Sequence, residues 1–404
     1  MSERATDAGV TCSVEGYDWL RSARTEWDAL IEACACDPLF NGWAWRVCWW
    51  RAFAEAGDAT VDAARTAQPH TGAAPADAVL HVLVLRNAEG RLDAVLPLYA
   101  HRAAVRGRLR CQRLELLGCS LRGGRSGLEM SEYCDGCVRV GCEQIAATLF
   151  AAAMLSLGWD DFSAQGVRED SWVQQHLLPA LQMQAHGRLR LRKLDSMLSW
   201  GVPLTEGSDR WRERLSSNVR RRVIGQRDRV ADARIQPIAR TAFPAFVQTL
   251  NDYHVARWGR PVYSPQRLLF HERLLELLPD DALVATMLMS GAAPISVLYN
   301  LRLRNREYNL QSGFSADATQ RLSPGYQHLG YAIERAASAG VGYFDMLGGD
   351  GRSRAYKADL GELGSTMWGW QVLRSPMLKV LYRLWDDWTA YRTRRAHLAP
   401  RAGA

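Results

Sequence analysis

Lysine is almost missing from this chain. Only Lys193, Lys357 and Lys379 occur, and the other 47 of the 50 basic residues are arginine. That bias fits a GC-rich genome. It also singles out Lys357, since a compact ammonium in an arginine-writing chain offers different chemistry from a planar guanidinium. No run approaches 18 apolar residues, so no transmembrane helix is expected. The first residues, Met1 to Asp7, lack a basic region followed by an apolar stretch, so no signal peptide is expected either. The nine cysteines are odd in number and, without such a signal, read as reduced thiols of a cytoplasmic protein. GxSxG, HExxH and Walker A motifs are absent, as is a GxGxxG following a strand. Cys134 and Cys137, with Cys142 nearby, lack a fourth ligand at a usual zinc spacing, so no metal is expected.

What remains is an ordinary globular composition. With 404 residues, 48% hydrophobic and 23% charged, the chain can hold two or three domains or one large duplicated one. The net charge of +7 favours an anionic partner, whether a nucleotide, a nucleic acid or a membrane surface.

Residues 1–14 read as a loose leader, and 17–35 and 43–56 as helices, the second crowded with Trp43, Trp45, Trp49 and Trp50. Such crowding suits core packing better than a pocket. Strands are expected at 79–86, 92–101, 111–119, 133–140 and 159–164, with a helix over 143–157. Gly123, Gly124, Arg122 and Arg125 form a loop with no helix directly behind it. A helix around 172–181 and a strand over 189–200 lead to a linker at 201–203. Residues 211–231 read as one strongly basic helix, suited to a solvated face, an anionic polymer or nucleic acid. Two amphipathic helices, 243–258 and 264–278, follow. A last strand around Trp368 and Trp370 precedes an amphipathic helix over 377–396, whose apolar side suits packing on the body or on a second copy in a homodimer better than a membrane surface, since Asp386 and Asp387 interrupt its positive face.

The informative stretch is 282–363. Ile295 to Leu303 and Glu307 to Phe314 alternate as strands around a turn at 304–306. A polar segment then runs to Ser323-Pro324-Gly325, an N-cap and N1 pair opening a helix with Leu329, Ala332, Ile333 and Ala336 at spacings of three and four. Tyr343 to Leu347 is a short strand before Gly348-Gly349-Asp350-Gly351. A strand thus feeds a loop that opens a helix, and a second strand returns beside the first. The free N–H groups at such a helix start favour a phosphate. A faint repeat accompanies it: strand, turn, strand with Pro97 in the first half resembles strand, turn, strand with Pro294 in the second, and Gly158 to Phe162 parallels Gly342 to Asp345.

This order resembles the core of the GNAT acyltransferases. Gln320-Arg321-Leu322-Ser323-Pro324-Gly325 matches their Q/R-x-x-G-x-G/A phosphate loop except that Ser323 replaces the first glycine. Tyr343 to Asp350, with Tyr356-Lys357 and Leu360-Gly361, is similar to the D-x-L-x-G-D … Y-K segment of CelD-like acetyltransferases of cellulose or exopolysaccharide biosynthesis, relatives of the FemAB-type transferases. The resemblance implies an α/β (α+β) fold of two tandem GNAT-like halves, each a mixed, mostly antiparallel sheet flanked by helices. Residues 1–205 would be a degenerate half without a cofactor loop, 206–370 the acyltransferase half, and 371–404 a C-terminal helix and tail.

It further implies acetyl-CoA or another acyl-CoA as co-substrate, without a metal. The donor would lie on the backbone of Gln311, Ser312, Gly313 and Phe314, with its phosphates at Gln320, Arg321, Ser323 and Gly325. Trp258, Tyr356 and Lys357 would face an acceptor, an amine or hydroxyl of a small molecule or saccharide. Attack would be direct, with Asp350, Asp345 or His254 as base and Asp350 preferred for its glycine-flanked loop. Two alternatives stand beside this: an aminoacyl-tRNA-dependent FemAB-type transferase, the one case that needs nucleic acid, and a non-catalytic partner of a polysaccharide synthase complex.

Overall fold

The computed structural model describes residues 5–7, 9–53, 78–105, 109–119, 131–230, 232–315, 323–349 and 352–398. Its strands are β1 (Ala5–Asp7), β2 (Val10–Glu15), β3 (Val79–Arg86), β4 (Leu92–Val105), β5 (Leu109–Leu116), β6 (Cys137–Val138) and β7 (Asp161–Arg168). They continue with β8 (Arg190–Pro203), β9 (Ala233–Pro237), β10 (Thr286–Ser290), β11 (Ala293–Leu303), β12 (Arg306–Phe314), β13 (Tyr343–Gly349) and β14 (Glu362–Leu373). Among the described residues these 14 strands form one sheet, ordered β1-β2-β3-β4-β5-β7-β14-β8-β13-β12-β11-β10-β9, with β6 beside β4.

Alternation along the strands sends side chains to two different cores. Val297, Tyr299 and Leu301 of β11, like Val82 and Val84 of β3, join one large cluster with the helices Trp43–Phe53, Phe243–Trp258 and Pro265–Leu277. The four tryptophans of the Trp43–Phe53 helix are all buried there, Trp45 meeting Phe270 edge-on at 5.0 Å. The opposite face is covered separately in each half. Glu143–Ser156 packs on Leu83, Leu114 and Phe162, and Pro324–Ser338 on Leu298, Phe344 and Met346.

The duplication is visible in the pairing. Each half holds one parallel pair joined through a helix, β5 with β7 and β12 with β13. The strand after each pair crosses over. β8, from the first half, lies against β13, while β14, from the second, lies against β7, and the two crossing strands pair with each other. The sequence-expected boundary at 205 falls in the loop after β8, yet β8 completes the sheet of the half beyond it.

Several sequence expectations are corrected. The leader contains β2, whose Cys12 and Val14 pair with β3. The strand expected over 133–140 shrinks to Cys137–Val138, because Ser131 bonds to Gly118 after β5 and Cys134 to Gly166 of β7 instead. The basic helix over 211–231 is two short helices, Gly207–Arg214 and Ser217–Val223, and a single turn at Arg227–Arg229. Leu215 ends the first and Ser216 caps the second, its side chain accepting from the Val219 N–H. Tyr356 and Lys357 lie on a helix, Arg352–Leu360, that the expected elements did not include.

Candidate active site

β12 and β13 are paired only at Arg306–Tyr343, Glu307–Phe344 and Tyr308–Asp345. Beyond Tyr308 they separate, four residues before Ser312. Gln311, Ser312, Gly313 and Phe314 remain paired to β11 on their other side, so the edge facing β13 keeps its N–H and C=O groups unpaired by strand neighbours. Gly313 permits a close approach: a Cβ there would lie 2.9 Å from Leu250 Cδ1. Gly325 likewise lets the first turn of the Pro324–Ser338 helix press on Phe314, whose ring would be 3.2 Å from an added Cβ. Ser323 occupies the N-cap, but its hydroxyl makes no capping bond. The N–H groups of that first turn are therefore not capped by this side chain. Gln320, Arg321 and Asp350 lie outside the described residues.

Buried polar groups hold this helix and strand together. His328, fully buried in the helix, meets Ser296 Oγ through Nδ1 and Thr286 Oγ1 through Nε2, both at 3.0 Å. Ser296 Oγ in turn donates to the Gly313 carbonyl at 3.1 Å. Burial drives the His328 pKa down to about 3, keeping the ring neutral. At the helix's other end, the buried Glu307 carboxylate takes Arg335 and Arg302 at 2.6 and 2.8 Å.

Around Ser312 three side chains converge. His254 Nε2 is 3.3 Å from the Ser312 carbonyl; since a carbonyl only accepts, Nε2 carries the hydrogen. Burial lowers the His254 pKa below its ordinary value. The Tyr356 phenol lies beside Ser312, and burial pushes its pKa up to about 12, so it stays protonated. Arg257 stacks between Phe314 and Trp258, 4.7 and 5.0 Å from the two rings. Trp258 itself is 53% exposed, at the rim.

The end of β13 is fastened differently. Asp345 is buried, and both its oxygens are occupied: Oδ1 accepts from Tyr133 OH at 2.9 Å and the Leu347 N–H at 2.7 Å, and Oδ2 from Arg306 at 3.1 Å. Leu347 has φ +60°, a left-handed conformation uncommon for leucine, which the Asp345 bond fixes. Lys357, also buried, donates to the carbonyls of Leu347, at 3.3 Å, and of Gly348. The structure thus places Asp345 and Lys357 within the frame of the strand end.

Sequence reasoning missed Glu132. In the first half, the gap past the parallel pair of β5 and β7 is filled by its own chain: Ser131 N–H donates to the Gly118 carbonyl at 2.9 Å, and Cys134 N–H to the Gly166 carbonyl at 3.0 Å. This plug turns Glu132 toward the second half, where Oε2 accepts from the Gly348 N–H at 2.6 Å. Burial raises its pKa to about 7, partly offset by the Lys357 ammonium. No local motif marks Glu132, since its meaning comes from a contact 216 residues away.

Other features settle elsewhere. Arg212 and Arg227 both pair with Glu334, and Arg214 with Glu362, while Arg220, Arg221, Arg222 and Arg229 stay exposed. Cys134 and Cys137 diverge, the first to Cys119 Sγ at 3.0 Å and the second to the Asn41 carbonyl at 3.3 Å. Among the described residues no cluster of histidine, cysteine and acidic groups is arranged to hold a metal ion. A cavity of about 310 Å³ lies at the opposite end of β12, bordered by Asp37, Arg168, Arg304 and Arg306.

A parallel pair that opens beside an uncapped helix start gives the second half a GNAT-like fold. Residues 217–358 match the acetyltransferase (GNAT) domain family. The whole chain is similar in fold to the crystal structure of FemX, with a TM-score of 0.58, 10% identity, and coverage of 94% of this chain and 99% of that one. It is also similar to a conserved protein of unknown function from Bacteroides thetaiotaomicron, with a TM-score of 0.51, 9% identity, and coverage of 89% and 99%. No curated protein matches the sequence.

Proposed function

We propose that the chain transfers an acyl group from an acyl-CoA to an amine of a small-molecule or saccharide acceptor. The observation that carries this is the opening between β12 and β13, where Tyr356 and His254 meet Ser312 from two elements and the helix start at Ser323 stands uncapped. The pantetheine arm runs along Gln311 to Phe314, and the phosphates take the N–H groups after Ser323, with Arg321 and Arg257 as cations. Glu132 removes a proton from the acceptor ammonium. The amine attacks the thioester carbonyl, the C–N bond forms, and the C–S bond breaks as the tetrahedral intermediate collapses. Tyr356 gives its proton to the departing thiolate, and the second proton shed by the new amide nitrogen restores the phenol through solvent. His254 holds the Ser312 carbonyl, and Asp345 and Lys357 hold the strand end on which the carbonyl of the acyl group rests.

An acyl-CoA donor is favoured over aminoacyl-tRNA because residues 217–358, which carry the opening, match the acetyltransferase (GNAT) domain family. The test is thermal stability with acetyl-CoA, a longer acyl-CoA and free CoA, since a ligand that binds only the native state raises the midpoint. A rise with these ligands that Arg321→Ala removes is expected. No rise at millimolar ligand, with salt-sensitive tRNA binding instead, would overturn the donor.

A further inference from the structure

The helix Pro376–Leu398 has apolar residues on two sides, and only one is used. Leu378 is fully buried against Ala103, Val105, Cys111 and Leu373, with Leu381 and Tyr382 beside it. Asp386 turns to the same body and pairs with Arg190 and Arg192 at 2.9 and 2.5 Å. The other side is open. Met377, Val380, Leu384, Trp388 and Tyr391 recur every three or four residues and are 47–64% exposed. With Trp385 they make up six of the twelve large apolar side chains left exposed among the described residues, so the concentration is local rather than general.

Charge decides what covers this stripe. Exposed Arg383 and Arg392 border it, Arg392 lying 4.8 Å over the Trp388 ring, and the sequence continues with Arg394 and Arg395. Asp386 is neutralised by the body, which leaves Asp387 as the one exposed acid of the helix. A second copy paired through the same face would set two cationic borders against each other with only Asp387 to offset them. Indole and phenol rings, apolar in body and polar at the tip, suit a lipid headgroup layer. We propose that this face docks on an anionic bilayer surface, with Leu384 and Trp388 entering the interface and Arg383 and Arg392 meeting anionic headgroups.

The experiment is flotation of the full chain with phosphatidylcholine vesicles, with and without phosphatidylglycerol. Binding to the anionic vesicles is expected, weakened by salt and about tenfold weaker without phosphatidylglycerol. The double variant Leu384→Glu/Trp388→Glu should lose flotation at an unchanged melting temperature, which checks that it is folded. Arg383→Gln/Arg392→Gln, which removes no apolar contact, should lose most of the anionic preference. Absence of flotation with phosphatidylglycerol, or flotation indifferent to both double variants, overturns the proposal. A dimer in sedimentation that Leu384→Glu dissociates, without vesicle binding, assigns the face to a second copy instead.

Discussion

Burial holds the Glu132 carboxyl at a pKa of about 7, so the group exchanges its proton within the working range of most enzymes. Only the deprotonated form can take a proton from an ammonium acceptor. The value of kcat/KM for the acceptor should therefore rise with pH through about 7 and then level off. Glu132→Gln should lower kcat by ~10²–10⁴-fold while leaving acyl-CoA affinity nearly unchanged. Persistence of the same pH limb in that variant would remove Glu132 from the base role. Tyr356→Phe should also lower kcat, and its defect should shrink with a thioester whose thiol leaves as a stable anion; an equal defect with both donors would count against proton donation. Of the acids weighed in the sequence, Asp345 stands in a readable motif, yet both its oxygens are committed to Tyr133, Leu347 and Arg306. Glu132 stands in no motif, and a single sequence cannot show that a loop in one half fills its own gap and faces the other.

At the scale of elements, the cofactor helix and the donor strand are joined by one buried residue. His328 bonds Ser296 and Thr286, and Ser296 bonds the Gly313 carbonyl. His328→Ala leaves two buried hydroxyls short of partners and should cost ~1–3 kcal/mol of stability. It should also raise KM for acyl-CoA, since Gly313 loses its restraint. The pH sign follows from the depressed pKa. The unfolded chain takes up a proton near 6.5 that the native ring refuses until about 3, so this group's contribution falls as pH drops through that window. His328→Asn should flatten that part of the stability profile in a denaturant series; an unchanged slope would assign it to other groups. Elements with a clear period were legible: β12, the helix from Pro324 and β13 stand where the alternation and the threefold and fourfold spacings put them. The helix Arg352–Leu360 was not, because its first turn is Arg-Ser-Arg and, among the described side chains, Tyr356 and Leu360 are the apolar ones it packs on the core beneath. The outer strands β2 and β9 are short, the first half-buried and the second mostly exposed, so pairing rather than pattern defines them.

For the whole molecule, the exchange of β8 and β14 makes the two halves one folding unit. Cutting after residue 205 would leave the first fragment with β8 but without β14, so β7 would lose its outer neighbour and β8 both of its partners. The second fragment would keep β14 but lose β8, opening the edge of β13 next to the bonds that hold Leu347 and Gly348. It would also lose Tyr133 from Asp345 and Glu132 from Gly348. Unpaired edges of this kind favour aggregation over a stable half. Residues 1–205 and 206–404 produced separately should therefore lack a cooperative thermal transition. Produced together, they should associate, regain the transition and restore acyl-CoA binding. A second fragment that melts cooperatively and binds acyl-CoA alone would show that the first half is dispensable, and with it the base proposed at Glu132.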